Sequence, residues 1–357
     1  MIDAVAPPRS LCILRLSALG DATHVVPVIR TIQHAWPETR ITWVIGRPES
    51  RLLSLLPGVE FITIDKRSLR SGARTLRTEL RGRRFDVLLH MQLALRASLF
   101  STCIPADLRL GFDRARAREL QWLFTNRGIA PRRHEHVLDS FFGFTDALGI
   151  AERRLEWNVP IPAEAEEWAR QQIPDGQPVL IVSACSSHRA RNWSVDRYAA
   201  AIEHAVRRHG LTVLLCGGPN DYERGVAAAI ERAAAVPVRN LVGGDTLPRL
   251  LALLARARAL LAPDSGPAHM ATMVNTPVIG LYAATRVARS GPYLSRRFCI
   301  DRYAEAALRF RRRPERELPW SEKIEEPGVM DLIEIEAVCA RLDELMTLGS
   351  GTSATPC

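Results

Sequence analysis

The sequence predicts an α/β protein made of two doubly wound, Rossmann-like domains facing a cleft. Three observations carry that expectation. From Leu11 onward, short apolar runs alternate with longer amphipathic ones, the pattern of βα units that build a parallel sheet with helices on both faces. The rhythm breaks once, around residues 155–177, and then resumes. The chain has 357 residues and 47% hydrophobic content, too much for one ordinary core and enough for two.

In the first series, strands are expected at residues 11–16, 41–45, 61–64, 87–90 and 108–111, with helices between them. The break is marked by an extended stretch at 157–162 with two prolines, then a helix and the turn Pro174-Asp175-Gly176. The second series places strands at 179–183, 212–216, 238–241, 259–262 and 278–282. After Arg297 the pattern weakens into an arginine-rich, proline-broken stretch. The boundaries drawn from this are 9–160 for an N-terminal domain and 161–330 for a C-terminal one. A helix at 331–348 could pack back on the N-terminal domain, and 349–357 reads as a disordered tail.

Composition narrows the function classes. The net charge of +9 comes largely from arginines spread along the chain, which favours phosphate-bearing ligands, although an arginine-rich composition alone would look the same. Seven cysteines are dispersed without a C-x-x-C pair, several of them inside apolar runs, and read as reduced core residues. The start Met1 to Pro8 lacks the basic and apolar regions of a signal peptide, and no segment approaches about 18 consecutive apolar residues. A soluble cytoplasmic protein is expected, able to visit a membrane surface through its charge.

Ligands of open α/β sheets bind at the carboxyl ends of strands, so the polar loops there are the candidates. The first is Arg15-Leu16-Ser17-Ala18-Leu19-Gly20-Asp21-Ala22-Thr23-His24, which follows the first strand and opens a helix. It is neither a Walker A loop nor a dinucleotide fingerprint. Asp21 suits an N-cap, or a general base that takes a proton from an attacking hydroxyl. His24, three residues on, more often packs than catalyses in such a place.

The second candidate is Ser183 to Trp193, where hydroxyls followed by guanidinium groups suit a diphosphate; a solvated basic loop anchored by Trp193 is the bland alternative. In the third, Asp264-Ser265-Gly266-Pro267-Ala268-His269, Ser265 or Gly266 suits an N-cap and Pro267 the first helical turn. The helix start so formed can bind phosphate through its N–H groups and dipole, or Asp264 can simply close the turn. The fourth, Cys216 to Glu223, places acidic side chains where ribose hydroxyls are commonly held, or is turn punctuation.

Taken together, these stretches resemble the ADP-heptose:lipopolysaccharide heptosyltransferases of glycosyltransferase family 9. The resemblance runs from about Leu11 to the C-terminal helix. It rests on S-x-L-G-D at Ser17 to Asp21, on D-[ST]-G-x-x-H at Asp264 to His269, and on a basic residue before Trp between them. The family implies a GT-B fold with the acceptor on the N-terminal domain and the nucleotide sugar on the C-terminal one. It implies Asp21 as the base and Arg191 in the place of the family's phosphate-binding Lys or Arg. Ser186 and Ser187 become hydroxyl donors, Ser265, Gly266 and Pro267 the helix start under the diphosphate, and Asp264 a partner of the heptose hydroxyls, with His269 completing the donor motif. Where members can carry a ribose-contacting Glu this chain has Asp221, with Glu223 as a possible substitute.

On the acceptor side the resemblance points to Ser17 and Gly20, to Lys66 and Arg67 with nearby Arg70, and to Arg118 in the run Arg114 to Glu119. Arg77, Arg81, Arg83 and Arg84 read instead as a solvated helix face. The activity implied is inverting transfer of L-glycero-D-manno-heptose from ADP-heptose to the inner core of lipopolysaccharide or a lipid A precursor, by a monomer. No cofactor or metal is expected, since no D-x-D or clustered His and Cys ligands stand out. Another nucleotide sugar or acceptor is the first alternative. A dinucleotide-dependent oxidoreductase lacks its glycine fingerprint, and a nucleic-acid-binding protein would lack a stacking pattern of aromatic residues.

Overall fold

The computed structural model describes residues 7–349. The chain divides between Pro160 and Ile161 into two compact units, each built on one parallel sheet. In the first, β1 (Ser10–Leu14), β2 (Arg40–Gly46), β3 (Val59–Ile64), β4 (Phe85–His90), β5 (Ala106–Gly111) and β6 (Arg127–Gly128) lie in the order β3-β2-β1-β4-β5-β6. In the second, β7 (Val179–Val182), β8 (Thr212–Leu215), β9 (Arg239–Asn240), β10 (Ala259–Pro263), β11 (Val278–Tyr282) and β12 (Ile300–Asp301) lie in the order β12-β11-β10-β7-β8-β9.

Counted from its own first strand, each sheet has the doubly wound order in which the winding reverses beside that strand. The reversal falls between β1 and β4 in one unit and between β7 and β10 in the other. The loops leaving those strands therefore diverge to opposite faces and open a crevice at their carboxyl ends.

The central strands are apolar along their whole length because both faces are covered: Leu11 to Leu14 and Val179 to Val182 are fully buried. The ten expected strands coincide with observed ones, shifted by two residues at most. The edge strands β6 and β12, of two residues each, were not expected, whereas β9, equally short and also at an edge, lies within the expected 238–241.

The helix Val195–His209 buries Tyr198, Ala201, Ile202 and Ala205 against the second sheet and stops at Gly210, whose φ of +63° suits glycine. The final helix, Ile335–Gly349, differs from expectation. It packs on Val195–His209 and sends Val338, Leu342 and Leu345 into the second unit's core, so its apolar stripe extends the core of the unit it follows. A clasp fixes this contact, with Asp343 Oδ1 lying 2.7 Å from His204 Nε2 and 2.6 Å from His209 Nε2. The tail expected from residue 349 lies, beyond that helix, outside the described residues.

Six cysteines of the described residues are unpaired, with Cys12, Cys216 and Cys299 buried. Among the described residues no helix is long and apolar enough to cross a membrane.

Candidate functional site

In the first unit the chain leaves β1 in a turn cross-braced to the end of β4. Arg15 Nη1 donates to the Met91 carbonyl at 2.7 Å, Leu16 N donates to Gln92 Oε1 at 2.6 Å, and Gln92 Nε2 donates to Ser17 Oγ at 3.2 Å. Gly46 closes on the same turn: a Cβ there would lie 2.4 Å from the Leu16 carbonyl oxygen, so the end of β2 approaches this near only without a side chain.

The turn enters the short helix Leu19–Thr23, whose N-cap is Ala18. Asp21 is the third residue of that helix and does not cap it. Its Oδ2 pairs with Arg15 Nη2 instead. Asp21's side chain is 41% exposed and Arg15's 9%, so a buried guanidinium orients a carboxylate that faces solvent. His24 is buried and packs edge-on to His136 with ring centroids 5.4 Å apart, the packing alternative.

Beside this turn lies a cavity of about 730 Å³. Its polar lining includes Ser17, Lys66 and Arg67, three of the expected acceptor residues, together with Gln92, Arg96 and Glu119, which sequence reasoning missed. Its apolar wall is Leu69, Leu95 and Leu99, each about two-fifths exposed. Lys66 Nζ is 2.6 Å from Glu49 Oε1, and Arg96 Nη1 donates to the Lys66 carbonyl at 2.9 Å.

Two expected acceptor residues are not in the lining. Gly20 is buried, and its carbonyl accepts from Thr23 Oγ1 at 2.6 Å; Arg118 is exposed next to Glu119. Arg116 is committed to the fold through Asp113, Glu135 and the Ala130 carbonyl. Arg83 pairs with Glu60 and Arg84 with Asp107, as a solvated face would.

In the second unit the loops after β7 and β10 meet at the reversal of the sheet. Ser186 Oγ donates to the Asp264 carbonyl at 2.8 Å, and Ser186 N donates to Asn192 Oδ1 at 2.7 Å. The Arg191 guanidinium, 12% exposed, donates from Nη1 to Asp264 Oδ2 at 3.3 Å and from Nε and Nη2 to Glu325 Oε1 at 2.8 and 2.5 Å. Ser187 lies exposed on the same loop. Trp193 anchors the loop's far end, its indole N–H donating to the Ile333 carbonyl at 2.9 Å.

Glu325 was not foreseen, because 134 residues separate it from Arg191. Nor was Lys323, whose pKa is lowered by burial and by the Arg191 charge.

Ser265 caps the eight-residue helix Gly266–Met273 through its backbone, with Pro267 in the first turn. Its hydroxyl oxygen is buried and has no hydrogen-bond partner. A buried hydroxyl left open beside a helix N-terminus suits an anion that would complete it. Asp264 spends its carboxylate on Arg191 rather than on closing the turn, and its Oδ1 is 3.9 Å from Nε2 of the buried His269. After β11, Thr285 Oγ1 and Arg286 Nε and Nη1 are likewise buried without partners, while Arg286 lies 4.0 Å over the Tyr303 ring.

After β8, Asp221 is exposed at the start of the helix Asp221–Ala233. Glu223 is engaged locally: it accepts from Gly218 N and from Asn220 Nδ2, both at 2.6 Å. Asp245, in the loop after β9, has its pKa pushed up to about 7, first by burial and further by the Glu223 charge.

One group among the described residues has metal-ligand spacing, the clasp His204, His209 and Asp343. It sits where the helix Val195–His209 leads into β8, at the opposite end of the sheet from these loops.

Comparison with known proteins bears on the family and the fold. The profile of glycosyltransferase family 9 (heptosyltransferase) matches residues 73–320. The chain is 37% identical to the lipopolysaccharide core heptosyltransferase OpsX of Haemophilus influenzae, over 95% of this chain and 97% of that protein. Its fold is similar to the crystal structure of a family 9 glycosyl transferase from Veillonella parvula, with a TM-score of 0.77, 20% identity, and 95% and 97% of the two chains covered. It is also similar to the Escherichia coli heptosyltransferase WaaC with ADP, with a TM-score of 0.72, 18% identity, and 94% and 99% covered. The fold is thus of the GT-B type, and the chain belongs to glycosyltransferase family 9, the heptosyltransferases.

Proposed function

We propose that the protein transfers L-glycero-D-manno-heptose from ADP-heptose to the inner core of lipopolysaccharide, with inversion at the anomeric carbon. The observation that carries the donor half is the unpartnered Ser265 hydroxyl at the start of the helix Gly266–Met273, beside Arg191 and Ser186. The relative at 37% identity supports the sugar and the acceptor class by its name.

In this reading the helix start, Ser186, Ser187 and Arg191 receive the diphosphate, Asp264 and His269 border the heptose, and Asp221 reaches the ribose, since Glu223 is engaged locally. Arg191 donates to two carboxylates, so phosphate binding shares or replaces one of those bonds. Lys66, Arg67 and Arg96 border a cavity fit for the anionic core sugars.

Asp21 accepts the proton of the attacking acceptor hydroxyl. That oxygen bonds to the anomeric carbon as the bond to the diphosphate oxygen breaks, and ADP leaves with the electron pair. The leaving charge is met by the helix dipole and Arg191 without a metal. The protein works as a monomer in the cytoplasm, at the inner face of the inner membrane where its lipid-anchored acceptor lies.

The test is product analysis by mass spectrometry with ADP-heptose and a series of truncated lipopolysaccharide acceptors, with and without EDTA. One heptose should be added to one acceptor in the series, equally in both conditions. No transfer to any acceptor overturns the reading, and loss of transfer in EDTA overturns its metal-free part.

A further inference from the structure

Beside the cavity of the first unit the chain holds three large apolar side chains out in solvent. Leu120 is 53% exposed, Trp122 42% and Leu123 58%. They do not sit on a loose loop. Gln121, between them, is fully buried; its Nε2 donates to the carbonyls of His90 at 2.9 Å and Gln92 at 3.1 Å, and its Oε1 accepts from Phe112 N at 3.2 Å.

The two residues before it, Glu119 at φ +49° and Leu120 at φ +61°, adopt the left-handed conformation that side-chain-bearing residues avoid. A buried polar anchor and two disfavoured backbone angles thus hold apolar groups where water meets them. An ordinary surface turn would place Gly or Asn at those angles and polar residues at its tip.

The surroundings say what covers this ridge. Arg114 lies 4.9 Å over the Trp122 ring, and Arg114, Arg118 and Arg133 are all exposed nearby in the chain. Indole and leucine side chains with a guanidinium group stacked on the indole, in an arginine-rich stretch, are the chemistry of a membrane interface with anionic headgroups. Three side chains fall well short of the roughly 800 Å² per partner that a stable protein interface buries. Glu119 joins the ridge to the cavity: it lines the cavity and accepts from Leu95 N at 2.5 Å, while Leu95 and Leu99 continue the apolar lining.

We propose that Leu120, Trp122 and Leu123 form a ridge that inserts into the headgroup region of an anionic bilayer and seats the neighbouring cavity on the membrane surface. The proposal rests on the heptosyltransferase reading only in supposing that the cavity's occupant is lipid-anchored.

The experiment is co-sedimentation of the full-length protein with vesicles of phosphatidylethanolamine and phosphatidylglycerol, and with phosphatidylcholine alone. It is paired with heptose transfer to a deacylated soluble acceptor. Wild-type protein should bind the anionic vesicles. Trp122→Ser/Leu123→Ser should lower the partition coefficient by at least about tenfold, and Arg133→Gln by about fivefold on anionic vesicles alone. Both variants should keep wild-type transfer to the soluble acceptor.

Absence of vesicle binding by the wild type overturns the ridge while leaving the transferase reading intact. Ridge-dependent vesicle binding without transfer to any acceptor does the reverse. Loss of soluble-acceptor transfer in a folded Trp122→Ser/Leu123→Ser variant assigns these residues to the acceptor site and overturns the membrane role. So does a wild-type self-association in light scattering that the variant abolishes while vesicle binding is unchanged.

Discussion

The two units wind their sheets in the same order, yet the loops at the two reversals are built on opposite plans. After β1 and β4 the braces are mostly backbone to side chain, and they leave an open cavity of about 730 Å³ with a solvent-facing carboxylate, Asp21, beside it. After β7 and β10 the loops close on one another: Ser186 Oγ on the Asp264 carbonyl, Arg191 on the carboxylates of Asp264 and Glu325. Beside them one serine hydroxyl is buried without a partner at a helix start. One topology thus carries an open, cavity-lined site in one unit and a cross-bonded, anion-suited one in the other, and the difference lies in the loops.

Substitutions can break that contrast. The largest effect belongs to Asp21→Ala, which should lower kcat by about a hundred- to ten-thousandfold while the dissociation constant for ADP, read by calorimetry, stays unchanged. A folded variant with near-normal turnover would remove Asp21 from the chemistry.

Arg191→Gln should act in the opposite unit, weakening ADP binding by about ten- to a hundredfold. Retained ADP affinity would leave Arg191 as a structural partner of Asp264 and Glu325 only. Arg67→Ala, at an exposed cavity wall, should raise the acceptor KM about three- to tenfold, with ADP affinity and melting temperature unaltered. A shift in ADP affinity instead would blur the division of labour.

The smallest effect is on stability. Burial raises the Asp245 pKa to about 7, above its unfolded value, so the folded state holds a proton that the unfolded chain has lost. The cost of that site therefore grows from about pH 4 to pH 7 and is constant above. Asp245→Asn should raise the melting temperature over wild type by a gap that widens across that window. A gap independent of pH would refute the assignment.

How much could be read beforehand follows from the range of each signal. The nine longer strands declare themselves because a buried parallel strand must be apolar throughout, and the motifs at Ser17 to Asp21 and Asp264 to His269 are contiguous. Two-residue strands such as β6 carry no such signal.

The site's other half is non-local. Nothing near Arg191 announces Glu325, and the cavity draws Gln92 and Arg96 from the segment after β4 but Glu119 from the one after β5. The docking of the last helix depended on which core its stripe would extend, a tertiary question that periodicity cannot answer. Gly20 and Arg118, expected from the resemblance, lie outside the cavity lining.

The attachment of the chain's closing segment to the β7 loop has a practical side. Glu325 grips Arg191, the Ile333 carbonyl receives the Trp193 indole, and Arg197 Nη1 donates to the carbonyls of Asp331 and Ile333 at 2.9 and 2.7 Å. A protease cut near residue 320 or a shortened expression clone would thus do more than trim an appendage. It would release the loop that carries Ser186 and Arg191, so nucleotide should protect this far end of the polypeptide from digestion although it binds at the strand ends.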